Sequence, residues 1–488
     1  MIMKTLIVVH RYLGVVLGVI MTMWCLSGFV MMYQGYPATT PDERQSGLER
    51  LDLANASAQL TLAGDAPAMQ ARVEMLSGAP VLRVGGRDGP KAYNLESGET
   101  VGVLSEQQVR NVAETYAAGN KINGKITELD TLLIDQWSVQ PARRSQPLWK
   151  AVFDDPGASW VYINGSNGEV VQDANGHERF WNWLGAIPHW LYPRILRENG
   201  QLWNDVVVYS SLIGCFLVIT GMVIGFVRLR GRSGKWWPYR NRPMWMWHHL
   251  FGTFAGVLVL TWTFSGMMTM SPFGLLESEG AVSRADVQSP MQVSEVQAIL
   301  EQVKANPPAN LVTLRAAPLL GKPYLIARSA DGADTRFGLN GAAPLTQEEL
   351  QAGLSAKGGV LASGKLEVLN TEDDYYYGHK RAVDLPVYRV TLTDPDSTKA
   401  YFDYKTGELR QLADGTGQRY RWFEAGLHSM DFSFMRARPV WDIVTLLLLA
   451  AVTIACATGA WMSFTRVGQD FSRIRQRFAR KSKEPSQL

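Results

Sequence analysis

His10-Arg-Tyr-Leu-Gly14-Val-Val-Leu-Gly18-Val-Ile-Met-Thr-Met-Trp24-Cys-Leu-Ser27-Gly28 reads as a membrane span with a histidine at its start and glycines at intervals of four. A close copy begins at His248, in the run HHLFGTFAGVLVLTWTFSG. His10/His248, Gly14/Gly252, Gly18/Gly256, Trp24/Trp262, Ser27/Ser265 and Gly28/Gly266 all share one offset of 238, the difference between 248 and 10. Trp203/Trp441 and the Thr220-Gly221/Thr458-Gly459 pairs keep the same offset, and WLGAIPH and WFEAGLH place His189 and His428 at an offset of 239. Repeats of this length decide architecture. The chain reads as two copies of span, polar segment and span, in the same orientation, which predicts a pseudo-two-fold axis along the membrane normal.

Four windows carry no charged residue over about the length that crosses ~30 Å of hydrocarbon. They are Tyr12–Tyr33, Val206–Val227, Leu250–Met270 and Ile443–Phe464. The mean hydropathy of −0.08 conceals them, because two long charge-mixed segments lie between. The first window is too long for a signal-peptide core and returns in mid-chain, so it reads as a retained anchor. Orientation follows from the basic flanks. The connector holds Arg228, Arg230, Arg232, Lys235, Arg240 and Arg242 without an acid. The tail carries Arg466, Arg473, Arg475, Arg477, Arg480, Lys481 and Lys483 against Asp470 and Glu484. Both belong on the cytoplasmic side of a bacterial inner membrane, which puts both termini inside and the two long segments in the periplasm. Each basic run abuts a span, so the net charge of +3 is a topology signal and not a nucleic-acid surface. Cys25, Cys215 and Cys456 all fall in spans, which leaves no periplasmic disulfide framework, and no C-x-x-C-H motif is present for covalent haem attachment.

The expected division is 1–34, first span; 35–180, first periplasmic segment; 181–229, a histidine segment and second span; and 230–245, the basic connector. Then come 246–271, third span; 272–418, second periplasmic segment; 419–465, a histidine segment and fourth span; and 466–488, the tail. Within the polar segments, PVLRVGGRDGPKAYNLESGE, PLWKAVFDDPGASWVYINGSNGE, PYLIARSADGADTRFGLNGAAP and PVYRVTLTDPDSTKAYFDYKTGE each read as strand, polar turn and strand. SEQQVRNVAETYAA and VSEVQAILEQVKA are helical. Small α+β modules, antiparallel hairpins with a helix on one face, are the expected result.

The hairpins ending in NGSNGEV and YKTGEL look like PepSY modules, and with the two His-x3-Gly-x3-Gly spans the chain resembles the PepSY-associated transmembrane family over nearly its full length. The expected fold is an integral membrane, α-helical four-span bundle from a parallel internal duplication, with periplasmic α+β PepSY-like modules. Some members of that family are siderophore-iron reductases carrying haem b. The resemblance therefore implies a periplasmic ferric chelate as substrate, released because ferrous ion binds hard oxygen chelators more weakly.

Seven histidines are present, and four of them form two repeat-related pairs: His10 with His248 and His189 with His428. Polar residues in or beside spans point to function. Height in the membrane forbids a cytoplasmic-side and a periplasmic-side histidine from sharing one iron, so the pairing predicts two bis-imidazole haem b sites, one near each face. Gly14, Gly18, Gly252 and Gly256 would then make room for a porphyrin face; close helix packing uses the same glycines. His249 competes with His248, although its counterpart is Arg11, which has a guanidinium suited to a haem propionate or to simple anchoring. Asp373, Asp374, Tyr375 and His379 in DDYYYGHK offer hard ligands, but alternating tyrosines also suit an exposed strand. Neither histidine pair has the thiolates or further imidazoles of a closed zinc site.

No hydrolytic triad, P-loop or G-x-G-x-x-G on the cytoplasmic side is found. The expected partners are membrane lipid, a separate cytoplasmic electron donor (a reductase, reduced flavin or quinol) and a periplasmic ferric chelate, with no nucleic acid. A haem-free regulatory or binding protein, and a di-haem protein that reduces another periplasmic redox partner, are the alternatives.

Overall fold

A computed structural model describes residues 2–56, 67–85, 91–230, 236, 239, 241–379 and 381–481. Arg232, Lys235 and Arg240 of the connector and Lys483 and Glu484 of the tail lie outside the described residues. Two compact units result. One comprises Met1–Gly35, Phe180–Leu276 and Arg419–Leu488, the other Tyr36–Arg179 and Glu277–Gln418.

The first unit is helical. Its long elements are α1 (Ile2–Met31), α2 (Gly200–Val227), α3 (Pro243–Phe254), α4 (Gly256–Met268) and α5 (Val440–Lys481). Three of these, α1, α2 and α5, are long and apolar enough to cross a membrane, and α3 with α4 makes a fourth if that bent pair counts as one span. The window Leu250–Met270, expected as one helix, is broken, with a bend of 60° between α3 and α4. Gly252 and Gly256 flank the break, and the Thr253 hydroxyl donates to the His249 carbonyl at 2.5 Å. Weak helix formers and a hydroxyl inserted in the backbone ladder are the usual causes of a kink. The last helix runs on past Phe464 through most of the stretch expected as a tail.

α1 and α5 pack at glycine-limited distance. A Cβ on Gly14 would lie 2.6 Å from Ser463 Oγ, and one on Gly18 would lie 3.2 Å from the Ala460 backbone. Arg11 on α1 bonds Asp470 on α5 at 3.1 Å. Cys25 and Cys456 meet across the same seam as free thiols, their sulfurs 3.9 Å apart.

Among the described residues the second unit holds three antiparallel sheets. Strands Ile126–Leu132, Leu148–Phe153, Trp160–Asn164 and Val170–Ala174 form one four-stranded sheet, and Lys365–Leu369, Val387–Thr391, Lys399–Asp403 and Leu409–Ala413 form another with the same strand order. Helix Glu106–Gly119, capped by Ser105 and Gln108 in a reciprocal box, buries Val109, Ala113 and Tyr116 with Ala151, Val161 and Ile163. Helix Gln347–Lys357 buries Leu350 and Leu354 with Val390 and Phe402. The leading hairpins of the two segments do not stay separate modules. They merge into one eight-stranded sheet, joined where Arg72 pairs with Arg315 and Val73 with Leu314. Covered by Val296, Ile299 and Val303 of helix Val293–Ala305, that sheet buries apolar side chains from both segments in one core. A lone hairpin is marginal in water, whereas a shared sheet is not.

Gly168, in the turn before Val170–Ala174, has φ +70°, and a Cβ there would lie 2.4 Å from Leu76 Cδ1. Gly78 has φ +83° with open space around it. Gly78→Ala is expected to cost about 1 kcal/mol through backbone strain alone, and Gly168→Ala about 2–4 kcal/mol because a core clash is added. Thermal unfolding of the two variants measures the difference.

Candidate functional site

The helical unit brings the four repeat-related histidines together in two pairs. His10 and His248 have ring centroids 6.3 Å apart at 40°, and His189 and His428 lie 6.0 Å apart at 57°. His10 stands on α1 and His248 on α3; His189 ends the short helix Ala186–His189, and His428 ends the π-helical turn Arg421–His428.

Each ring is fixed through the same nitrogen. His10 Nδ1–H donates to the Leu217 carbonyl at 3.0 Å, and His248 Nδ1–H to the Ala455 carbonyl at 3.0 Å. The acceptors are themselves 238 residues apart. His189 Nδ1–H donates to Trp24 O at 3.1 Å and His428 Nδ1–H to Trp262 O at 3.1 Å, again an offset of 238. The Ser27 and Ser265 hydroxyls lie 3.1 and 3.3 Å from these two nitrogens. A carbonyl oxygen only accepts, so each Nδ1 carries the proton and each Nε2 is left with a lone pair. Among the described residues every hydrogen bond of these four rings is made at Nδ1.

That is the arrangement metal-ligating histidines use, one nitrogen held by a backbone carbonyl and the other presented as ligand. The separation agrees with it. A metal at about 2.1 Å from a ring nitrogen sits roughly 3 Å from that ring's centroid, so two imidazoles on opposite sides of one metal have centroids about 6 Å apart. Two imidazoles suffice only for a metal that brings its other ligands with it. Among the described residues no group of three or more His, Cys, Asp or Glu stands ready to hold a bare ion. Burial, with the neighbouring His428 ring second, pushes His189 down to about 4, and burial lowers His428 in the same direction. The outer pair is therefore neutral at pH 7, the form in which imidazole binds a metal.

Glycines crowd these rings, but they are not the ones expected. A Cβ on Gly221 would lie 2.6 Å from His10 Cε1, and one on Gly459 2.7 Å from His248 Cε1. Gly266 would meet His428 Cε1 at 2.9 Å and Gly28 would meet His189 Cε1 at 3.9 Å. Of the glycines chosen from sequence, Gly14 and Gly18 face α5, and Gly256 faces Met222 at 2.8 Å. Only Gly252 faces a histidine, His248 Cε1 at 3.9 Å. Gly221 and Gly459 were legible as a repeat pair, but no spacing along the chain joins them to histidines on other helices.

His249 is turned away from His10. Its Nε2–H donates to the Gly225 carbonyl at 3.0 Å, and its ring meets Tyr239 edge-on. Arg11 is engaged by Asp470. In DDYYYGHK, Asp373 accepts from Arg389 at 2.8 Å, from the Tyr401 hydroxyl at 2.8 Å and from the Tyr375 and Tyr376 amides, which makes it a structural carboxylate.

The sequence model of the family described as the PepSY-associated TM region matches residues 7–466. No curated protein matches the chain.

Proposed function

The chain belongs to the PepSY-associated TM family, and from that premise we propose that it is an inner-membrane di-haem b oxidoreductase. In this reading four spans arise by parallel internal duplication. Both termini are cytoplasmic, and electrons pass outward to a periplasmic ferric chelate, a ferric siderophore. A separate reductase, reduced flavin or quinol is the donor. His10 and His248 hold the inner haem, and His189 and His428 hold the outer one.

One observation carries the reading: two histidine pairs at about 6 Å, all four rings fixed at Nδ1 by carbonyls that recur 238 residues apart. Bound there, haem iron supplies a ferric/ferrous one-electron couple tuned by its ligands and surroundings. The chain does the rest. The Leu217, Ala455, Trp24 and Trp262 carbonyls fix tautomer and ring direction. Gly221, Gly459 and Gly266 leave the space in which three of the rings sit. The apolar helices keep water from the iron, which raises the weight of every nearby dipole.

The reduced-minus-oxidised absorption spectrum of the full chain, purified in detergent, tests this reading. Two b-type haems per chain are expected. A spectrum with no Soret or α band would overturn the proposal and leave a haem-free membrane protein. The substrate is tested separately, by whether the reduced protein is reoxidised by ferric hydroxamate or catecholate chelates.

A further inference from the structure

Trp24 on α1 and Trp262 on α4 stand 238 residues apart, and each has an Nε1–H that is buried with no hydrogen-bond partner among the described residues. A buried donor without an acceptor costs about 1–3 kcal/mol, so two at matching positions need a physical account. Neither is a surface belt residue. Both are partly buried and pack against the apolar cluster that includes Leu17, Met21, Leu217, Val259 and Val452.

Their placement supplies one. The backbone carbonyl of each tryptophan holds an outer histidine, Trp24 that of His189 and Trp262 that of His428. Both helices run from the His10/His248 end toward the His189/His428 end, and helical side chains lean toward the N-terminus of their helix. The indoles therefore hang from the level of the outer pair toward the inner one. On α1, His10 and Trp24 are 14 residues apart (24 minus 10), or ~21 Å along the axis. The tryptophans stand in the interval between the two sites, on both sides of the repeat.

We propose that the Nε1–H groups of Trp24 and Trp262 face the outer bound haem from its inner side and act as positioning dipoles for it. This rests on the di-haem reading. The positive end of an N–H dipole near the iron stabilises the added electron, so the two indoles raise the potential of the outer site and bias electrons to collect there. The site hydrogen bonds that tune b-type centres act in the same way.

The test is a redox titration of the full chain in detergent, with haem per chain and thermal unfolding measured on the same samples. Trp24→Phe and Trp262→Phe keep an aromatic ring of similar shape and remove only the N–H. Expected are an unchanged haem content and a lowered midpoint for the transition that His428→Ala abolishes, with the largest displacement in the double variant. Trp461→Phe, at a 65% exposed position on α5, is the control and should leave both midpoints in place. Full haem with unmoved midpoints would overturn the proposal. So would a purely structural role, for which deleting an orphaned donor makes the protein more heat-stable and leaves both potentials alone. If the two phenylalanine variants lose haem, Trp24→His and Trp262→His, which restore an N–H, must recover both haem and potential; failure to do so also overturns it. Wild-type protein without any haem would refute the di-haem reading itself, and this inference with it.

Discussion

On the di-haem reading, His428→Ala is expected to halve the haem bound per chain, with one b-type centre lost and the other kept. His189→Ala should do the same. Each variant removes one of the two imidazoles, 6.0 Å apart, that on this reading would hold the outer haem, and the single ring left would retain it too weakly to survive purification in detergent. His10→Ala and His248→Ala should empty the other site, so that the four variants sort into two spectroscopic classes. A cross-class double such as His248→Ala with His428→Ala should bind essentially none. His249→Ala is the discriminating control: its Nε2 is held by Gly225 O, and both haems should remain. Pyridine haemochrome content per chain reads all of these. Loss of both haems from a single substitution whose fold is otherwise intact would show that the pairing is wrong.

The second large effect comes from glycines. A methyl group at Gly221 or Gly459 would stand 2.6 or 2.7 Å from an inner histidine ring, closer than real Cβ contacts allow. The ring must swing, and its bond to Leu217 O or Ala455 O goes with it. Disturbing the group that orients a metal ligand typically costs 10–100-fold in affinity, so Gly221→Ala and Gly459→Ala should weaken inner haem binding by about that factor. At the outer site the two copies differ. Gly266→Ala places a methyl 2.9 Å from His428 and should weaken binding, while Gly28→Ala meets His189 at an ordinary 3.9 Å and should not. Haem titration into apo-protein orders the four variants. Wild-type affinity in Gly221→Ala would refute the cradle.

The glycine result also marks how far the sequence could be read. His10-x3-Gly14-x3-Gly18 placed a histidine and two glycines on one helix face, and porphyrin clearance and helix packing explain that pattern equally well. The structure assigns Gly14 and Gly18 to packing against Ser463 and Ala460. Clearance beside the rings falls to Gly221, Gly459 and Gly266, each on a different helix from its histidine. Helical periodicity describes one element at a time, so a cradle built from two elements leaves no local pattern. The kink between α3 and α4 was hidden in the same way. α1 carries glycines at the matching positions and is one unbroken helix, so the glycines permit a break without dictating it. The shared sheet was hidden because each hairpin is complete as a local signal, and only the edge pairing of Val73 with Leu314 shows that the two belong to one core.

The sequence by itself determined the apolar spans, the 238-residue recurrence, the hairpins and the two histidine pairs, because length, charge, turn chemistry and periodicity are local properties that survive in a single chain. Tertiary structure alone decided that His248 and not His249 meets His10, that all four rings are held at Nδ1, and which glycines stand beside them. Those choices are made by carbonyls and Cα atoms brought close by helix packing across some two hundred residues of chain, where separation in sequence carries no information about separation in space.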